Sequence, residues 1–141
     1  MTLRTITLQL PENIYIRLQH VAQATQQSLN EVFLRVVQVG SPPTWEDVPA
    51  EFQIEVAALD RLDDASLWRV VRSPQTGVDL LRYQELLDKN AQGTISAAER
   101  LTLHTFRTEC DRFMLRKAHA AALLRWRGYN IPSADKLSVL A

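Results

Sequence analysis

Thr5-Ile6-Thr7-Leu8-Gln9-Leu10-Pro11 constrains this chain more than any other stretch. It alternates polar and apolar residues and stops at a proline, the period-two signature of a half-buried strand. In an extended backbone Ile6, Leu8 and Leu10 share one face, and Thr5, Thr7 and Gln9 share the other. Nearly everything after Pro11 reads as helix, so the chain offers this strand no partner of its own. An unpaired strand presents its backbone N–H and C=O groups to another chain. A second copy of the protein is the simplest source of a partner. The expectation is a homodimer joined through Ile6, Leu8 and Leu10.

Two helices follow at once. Pro11 suits a helix start, where its missing N–H costs nothing. Ile14, Leu18, Val21 and Ala22 then recur at helical spacing. Thr25-Gln26-Gln27 breaks the pattern without a glycine, so Gln26 or Gln27 must supply any left-handed residue the turn needs. Ser28-Leu29-Asn30-Glu31 has the spacing of a capping box, in which Ser28 and Glu31 satisfy each other's backbone N–H. Leu29, Val32, Phe33, Val36 and Val37 form the apolar face of the second helix. Gly40 ends it, and Ser41-Pro42-Pro43 begins a linker.

With strand, helix, turn and capped helix inside forty residues, residues 3–40 resemble a ribbon-helix-helix module of the Arc/MetJ/CopG type. The resemblance rests on Thr5-Ile6-Thr7-Leu8, on Leu10-Pro11-Glu12 and on Ser28-Leu29-Asn30-Glu31, and covers the first quarter to third of the chain. It implies an intertwined dimer whose paired strands enter the major groove of DNA. Carried over, it makes Thr5, Thr7 and Gln9 the base-reading positions. The backbone N–H groups of Ser28, Leu29 and Asn30 become a phosphate contact. The outward face of the strand carries no basic residue, and residues 1–40 hold three arginines against two glutamates. A polar ribbon that only dimerises is therefore the other reading of Thr5, Thr7 and Gln9.

The remaining hundred residues exceed what such a module needs. The expected organisation is a dimerisation module at 1–40, a linker at 41–49, an α-helical extension at 50–128 and a tail at 129–141. Within the extension, Phe52, Val56 and Leu59 mark one helix face, and Asp63 or Asp64 can cap the next helix, which carries Leu67, Trp68, Val70 and Val71. Ser73-Pro74-Gln75-Thr76-Gly77 interrupts the chain before a helix expected from Val78 to about Asn90. Ser96-Ala97-Ala98-Glu99 is a second capping box. From there the pattern runs to Gly128, roughly 50 Å of helix at ~1.5 Å per residue. Leu103, Phe106, Cys110, Phe113, Lys117, Ala120 and Leu124 form its heptad-like seam, which Lys117 interrupts.

Formal net charge is zero, but its distribution is uneven. Thr44 to Asp64 holds seven acids against Arg61 alone, and Ser96 to Gly128 holds seven bases against three acids. Either the two segments pack on each other or face water, or one of them meets a charged partner. Trp45 in the proline-rich linker, and Arg125, Trp126 and Arg127 near the last helix end, are the candidate partner-binding residues, because aromatic and arginine side chains dominate interface hot spots.

Catalytic chemistry has no foothold in the pattern. His20, His104 and His119 are widely separated and belong to no metal-ligand motif, and there is no glycine-rich phosphate loop or Gly-x-Ser-x-Gly element. The single cysteine, Cys110, sits at helical spacing among apolar residues and reads as a small buried hydrophobe. No metal, no cofactor and no enzymatic activity are expected. No apolar run approaches the ~18–20 residues of a membrane span. Polar residues also interrupt the N-terminus as no signal peptide allows, so the cytoplasm is the expected location. The fold expectation is mainly α, with one N-terminal strand paired across a homodimer and a long final helix. The layout resembles antitoxins and repressors of the ribbon-helix-helix class. That resemblance implies a regulator that binds operator DNA through the ribbon and a protein, such as a nuclease toxin, through the extension. The competing reading is a dimeric interaction or scaffold protein with no DNA activity.

Overall fold

The computed structural model describes residues 2–132. Six α-helices run through them: α1 (Glu12–Thr25), α2 (Leu29–Val39), α3 (Ala50–Ala58), α4 (Asp64–Arg72), α5 (Leu80–Gln92) and α6 (Ala97–Trp126), with a 3-10 turn at Leu59–Arg61. The chain divides into two compact units, residues 1–41 and 42–141.

The strand expected over Thr5–Leu10 is not formed. Residues 2–10 carry no regular secondary structure, and no strand occurs among the described residues. This overturns the ribbon, and with it the ribbon-helix-helix resemblance. The physical reason is that alternation only sets which way side chains would point. A strand also needs a neighbour for its backbone N–H and C=O groups. Among the described residues, no backbone–backbone hydrogen bond involves residues 2–10. What holds is the coarser reading, a mainly α-helical chain.

In the first unit α1 and α2 form a helical hairpin. Pro11 precedes α1, and its carbonyl accepts from the N–H groups of Ile14 and Tyr15 at 3.1 Å each. The chain leaves α1 through Gln26, which takes the left-handed conformation (φ 54°, ψ 39°) that the glycine-free turn demands. Ser28 then caps α2: its Oγ accepts from the Glu31 N–H, and the Glu31 carboxylate accepts from the Ser28 N–H, both at 3.1 Å. Ala22 and Val32 are the buried residues of this hairpin.

The second unit is built around α6, a rod of about 45 Å at ~1.5 Å per residue. α3, α4 and α5 pack along it. Near its C-terminal end, Leu59, Leu67 and Val71 meet Ala120, Leu123 and Leu124 in the main core. Toward its N-terminal end, Leu86 of α5 and Leu103 are buried, and Tyr83 stacks on Phe106 at 6.0 Å between ring centroids. Asp63 caps α4 by accepting from the Ser66 N–H at 2.9 Å. α5 begins at Leu80, two residues later than the apolar pattern suggests. Asp79 sets that start by accepting from the N–H groups of Leu81 and Arg82. The expected tail is packed where it is described: Tyr129 meets Trp68 edge-on at 5.9 Å, and Ile131 lies against the core. From Ser133 onward it lies outside the described residues.

Part of the uneven charge resolves as contacts between the two segments. Glu55 lies 3.1 Å from Arg112, Asp60 2.8 Å from His119 and Asp64 2.8 Å from Arg127. Each contact ties an acid of the 44–64 segment to α6 or its end.

The start of α6 carries a pH-sensitive cap. The Lys89 ammonium donates to the Glu99 carboxylate at 2.6 Å, and the Ser96 N–H donates to the same carboxylate at 3.1 Å. Together they hold the Glu99 carboxyl at about 2, from an ordinary value of 4.5. A lowered folded-state value contributes stability that is complete above pH 4.5 and is lost as pH falls through about 2. In an acid titration of the helical signal, Glu99→Gln should flatten the pH dependence across that window. An unchanged slope would mean that other carboxylates carry it.

Candidate protein-interaction surfaces

The hairpin of α1 and α2 leaves most of its apolar surface open. Ile14, Tyr15 and Val21 on α1 and Leu34, Val36, Val37 and Val39 on α2 are exposed. A 41-residue unit with two buried side chains is far below the size at which a single core is self-sufficient. Two grooves run along it. One, of about 540 Å³, is lined by Leu18, Val21, Val32, Val36 and Val39, and by the exposed Arg35. The other, of about 400 Å³, is lined by Leu10, Tyr15, Leu18, Leu29 and Phe33. Leu10 is thus half-buried against the helices, whereas Ile6 (85% exposed) and Leu8 stand in solvent.

Thr5, Thr7 and Gln9 are all exposed along residues 2–10. Ser28, Leu29 and Asn30 do form the N-terminus of α2, where free N–H groups attract an anion. Here the anion is already supplied, because the Glu31 carboxylate takes the Ser28 N–H. A phosphate placed there would meet a negative charge.

The candidate partner-binding residues do not form one site. Arg127 is committed within its own unit: its guanidinium donates to the Leu62 carbonyl at 2.9 Å and to Asp64 at 2.8 Å. The Tyr129 hydroxyl donates to the other Asp64 oxygen at 2.6 Å. The Tyr129 and Arg127 hydrogen bonds hold the Asp64 carboxyl below its ordinary range. Arg125 is exposed, and Trp126 is half exposed. Trp45 lines a separate cleft of about 470 Å³ with Gln53, Ile54, Ala57, Ala58 and Arg61. Composition and hot-spot statistics picked out Trp45 but missed the rest of this cleft. The available signal was phase: Ile54 is an apolar residue on the side of α3 away from Phe52 and Val56.

The titratable groups serve the fold. His119 is buried with its Nε2 2.8 Å from the Asp60 carboxylate. His20 and His104 are exposed. Burial, then the charges of Asp111 and Glu109, pushes the Cys110 thiol up, the opposite of an activated nucleophile. Among the described residues no group of three or more His, Cys, Asp and Glu is placed to hold a metal ion, and no helix is long and apolar enough to cross a membrane. No family model, curated protein or solved structure matches this chain, so the ribbon-helix-helix resemblance gains no support from that side.

Proposed function

We propose that this is a non-catalytic interaction protein that self-associates through residues 2–41 and presents its larger helical unit to other proteins. One observation carries the reading: the α1–α2 hairpin has two buried residues and two open apolar grooves. A surface of that kind is costly in water and marks an association site. A second copy is the natural occupant, since it is always present at matched concentration and a twofold contact lets one patch complement itself. Charge permits it: residues 2–41 hold Arg4, Arg17 and Arg35 against Glu12 and Glu31, a net of +1, so like copies repel little. Operator DNA is left out of this reading, because tight binding to a phosphate backbone takes several basic contacts.

Sedimentation equilibrium at micromolar concentration should return a dimer. Lysines at Val36 and Val39, both exposed and both lining the larger groove, should return a monomer with its helical signal retained. A wild-type monomer throughout the micromolar range would sink the reading.

A further inference from the structure

The connection from α4 to α5, residues 73–79, is fastened at both ends and unbonded in the middle. At its start the Ser73 N–H and hydroxyl donate to the Val70 carbonyl, at 3.2 and 2.7 Å. The Ser73 carbonyl accepts from the Lys117 ammonium at 3.2 Å. At its end Val78 is buried and Asp79 caps α5. Between these anchors the backbone N–H groups of Gln75, Thr76 and Gly77 donate to no acceptor among the described residues. The Gln75 amide and the Thr76 hydroxyl make no hydrogen bond there either. Anchored ends restrict the donors between them before any ligand arrives, which lowers the ordering cost of binding.

Residues 73–77 line a cleft of about 300 Å³ together with α6. The helix contributes Glu109, Arg112, Phe113 and Arg116, at i, i+3, i+4 and i+7, one stripe of its surface. All three charged residues that line the cleft lie in that stripe. The Arg112 guanidinium donates to the Glu109 carboxylate and lies 3.1 Å from Glu55, so Glu109 is already neutralised and Arg112 is engaged within the fold. The Arg116 guanidinium makes no ion pair or hydrogen bond among the described residues. It is exposed, and it is the uncompensated charge of the cleft.

A guanidinium beside loop N–H groups and a hydroxyl is a donor set for an oxyanion. Phosphate suits it better than carboxylate. The planar fork of an arginine pairs with two oxygens, which is all that a carboxylate has. A phosphate keeps further oxygens for the hydroxyl and the loop N–H groups. We propose that the cleft between residues 73–77 and α6 binds phosphate, with Arg116, the Thr76 hydroxyl and the N–H groups of Thr76 and Gly77 as its donors. Its volume also admits a small organic substituent, with Phe113 as the apolar wall.

The probe is inorganic phosphate, titrated into the isotope-labelled full chain at an ionic strength held constant with chloride. NMR follows the amide resonances of Thr76 and Gly77, whose shifts should saturate. Arg116→Gln removes the charged donor and should weaken binding about tenfold. Thr76→Val removes the hydroxyl and should weaken it less. Both residues are exposed, so neither change reaches the core. Arg125→Gln, at another exposed arginine of α6, should leave affinity unchanged. Phenyl phosphate is the second probe. Tighter binding than inorganic phosphate assigns the site to a phosphomonoester resting on Phe113, and weaker binding assigns it to the free ion. Shifts that grow in proportion to phosphate without saturating, or full affinity in Arg116→Gln, would overturn the proposal. The outcome is independent of how residues 2–41 assemble, which sedimentation reads separately.

Discussion

Leu124→Ala should lower the unfolding free energy of the larger unit by about 2–5 kcal/mol. Leu124 is 0% exposed and lies among Leu59, Leu67, Val71, Ala120 and Leu123. Truncation removes three carbons and leaves a hole that the neighbours are poorly placed to fill. Ala120, a neighbour in that core, has only a methyl group and no rotamer that could fill the hole. The elements on either side are pinned by polar contacts: Asp60 to His119, and Asp64 and the Leu62 carbonyl to Arg127. Collapse of the cavity would have to break them. In urea the midpoint should therefore fall while the slope stays that of the wild type, since the same surface is exposed on unfolding. Leu101→Ala is the control. Leu101 lies on the same helix at 72% exposure, and its truncation should move stability by no more than about 0.5 kcal/mol. Similar midpoints for the two variants would mean that the core is not where the buried leucines place it.

Local chemistry was legible in the sequence, and non-local pairing was not. Both capping boxes, Ser28 with Glu31 and Ser96 with Glu99, are fixed by spacing alone and form as spaced. With no glycine in the turn, Gln26 or Gln27 had to supply any left-handed residue, and it is Gln26 that does. Asp79 was missed because Val78, buried in the loop before α5, continues the apolar pattern past the true helix start. Acidic and basic segments were visible as composition, but which acid meets which base depends on the register of α3 and α4 against α6. Lys117, the one cation in the seam of α6, is reconciled by its length: its ammonium passes over the Phe113 ring at 5.0 Å and donates to the Ser73 carbonyl at 3.2 Å. The strand failed for the complementary reason. Its alternation is local information, whereas a ladder requires a neighbour that no local pattern specifies. Of the candidate sites, Trp45 was reachable as an aromatic in a linker. Its cleft depends on Gln53 folding the linker back onto α3, a contact invisible to periodicity.

Val32→Asp should unfold the α1–α2 hairpin and abolish self-association while leaving the larger core intact. Val32 is 4% exposed, and apart from Ala22 it is the hairpin's one buried side chain. The one cation among the residues lining the larger groove, Val32 among them, is Arg35, which is exposed to solvent. Burying an unpaired charge costs several kcal/mol, more than so small a core can offset. Residues Leu59, Leu67, Val71, Ala120, Leu123 and Leu124 all belong to the other unit, which has its own core. The expected result is threefold: helical signal falls by the share of α1 and α2, the protein sediments as a monomer, and the urea transition governed by Leu124 keeps its midpoint. Asn30→Asp, an exposed change on the first turn of the same helix, adds the same charge where the helix dipole favours it and should change none of these. Lysines at Val36 and Val39 act on the groove without entering the hairpin, so they should remove the dimer and keep the helices. The two outcomes together separate a hairpin that needs Val32 to fold from a surface that needs Val36 and Val39 to pair. A Val32→Asp protein with wild-type helicity and dimeric mass would mean that neither depends on the α1–α2 contact.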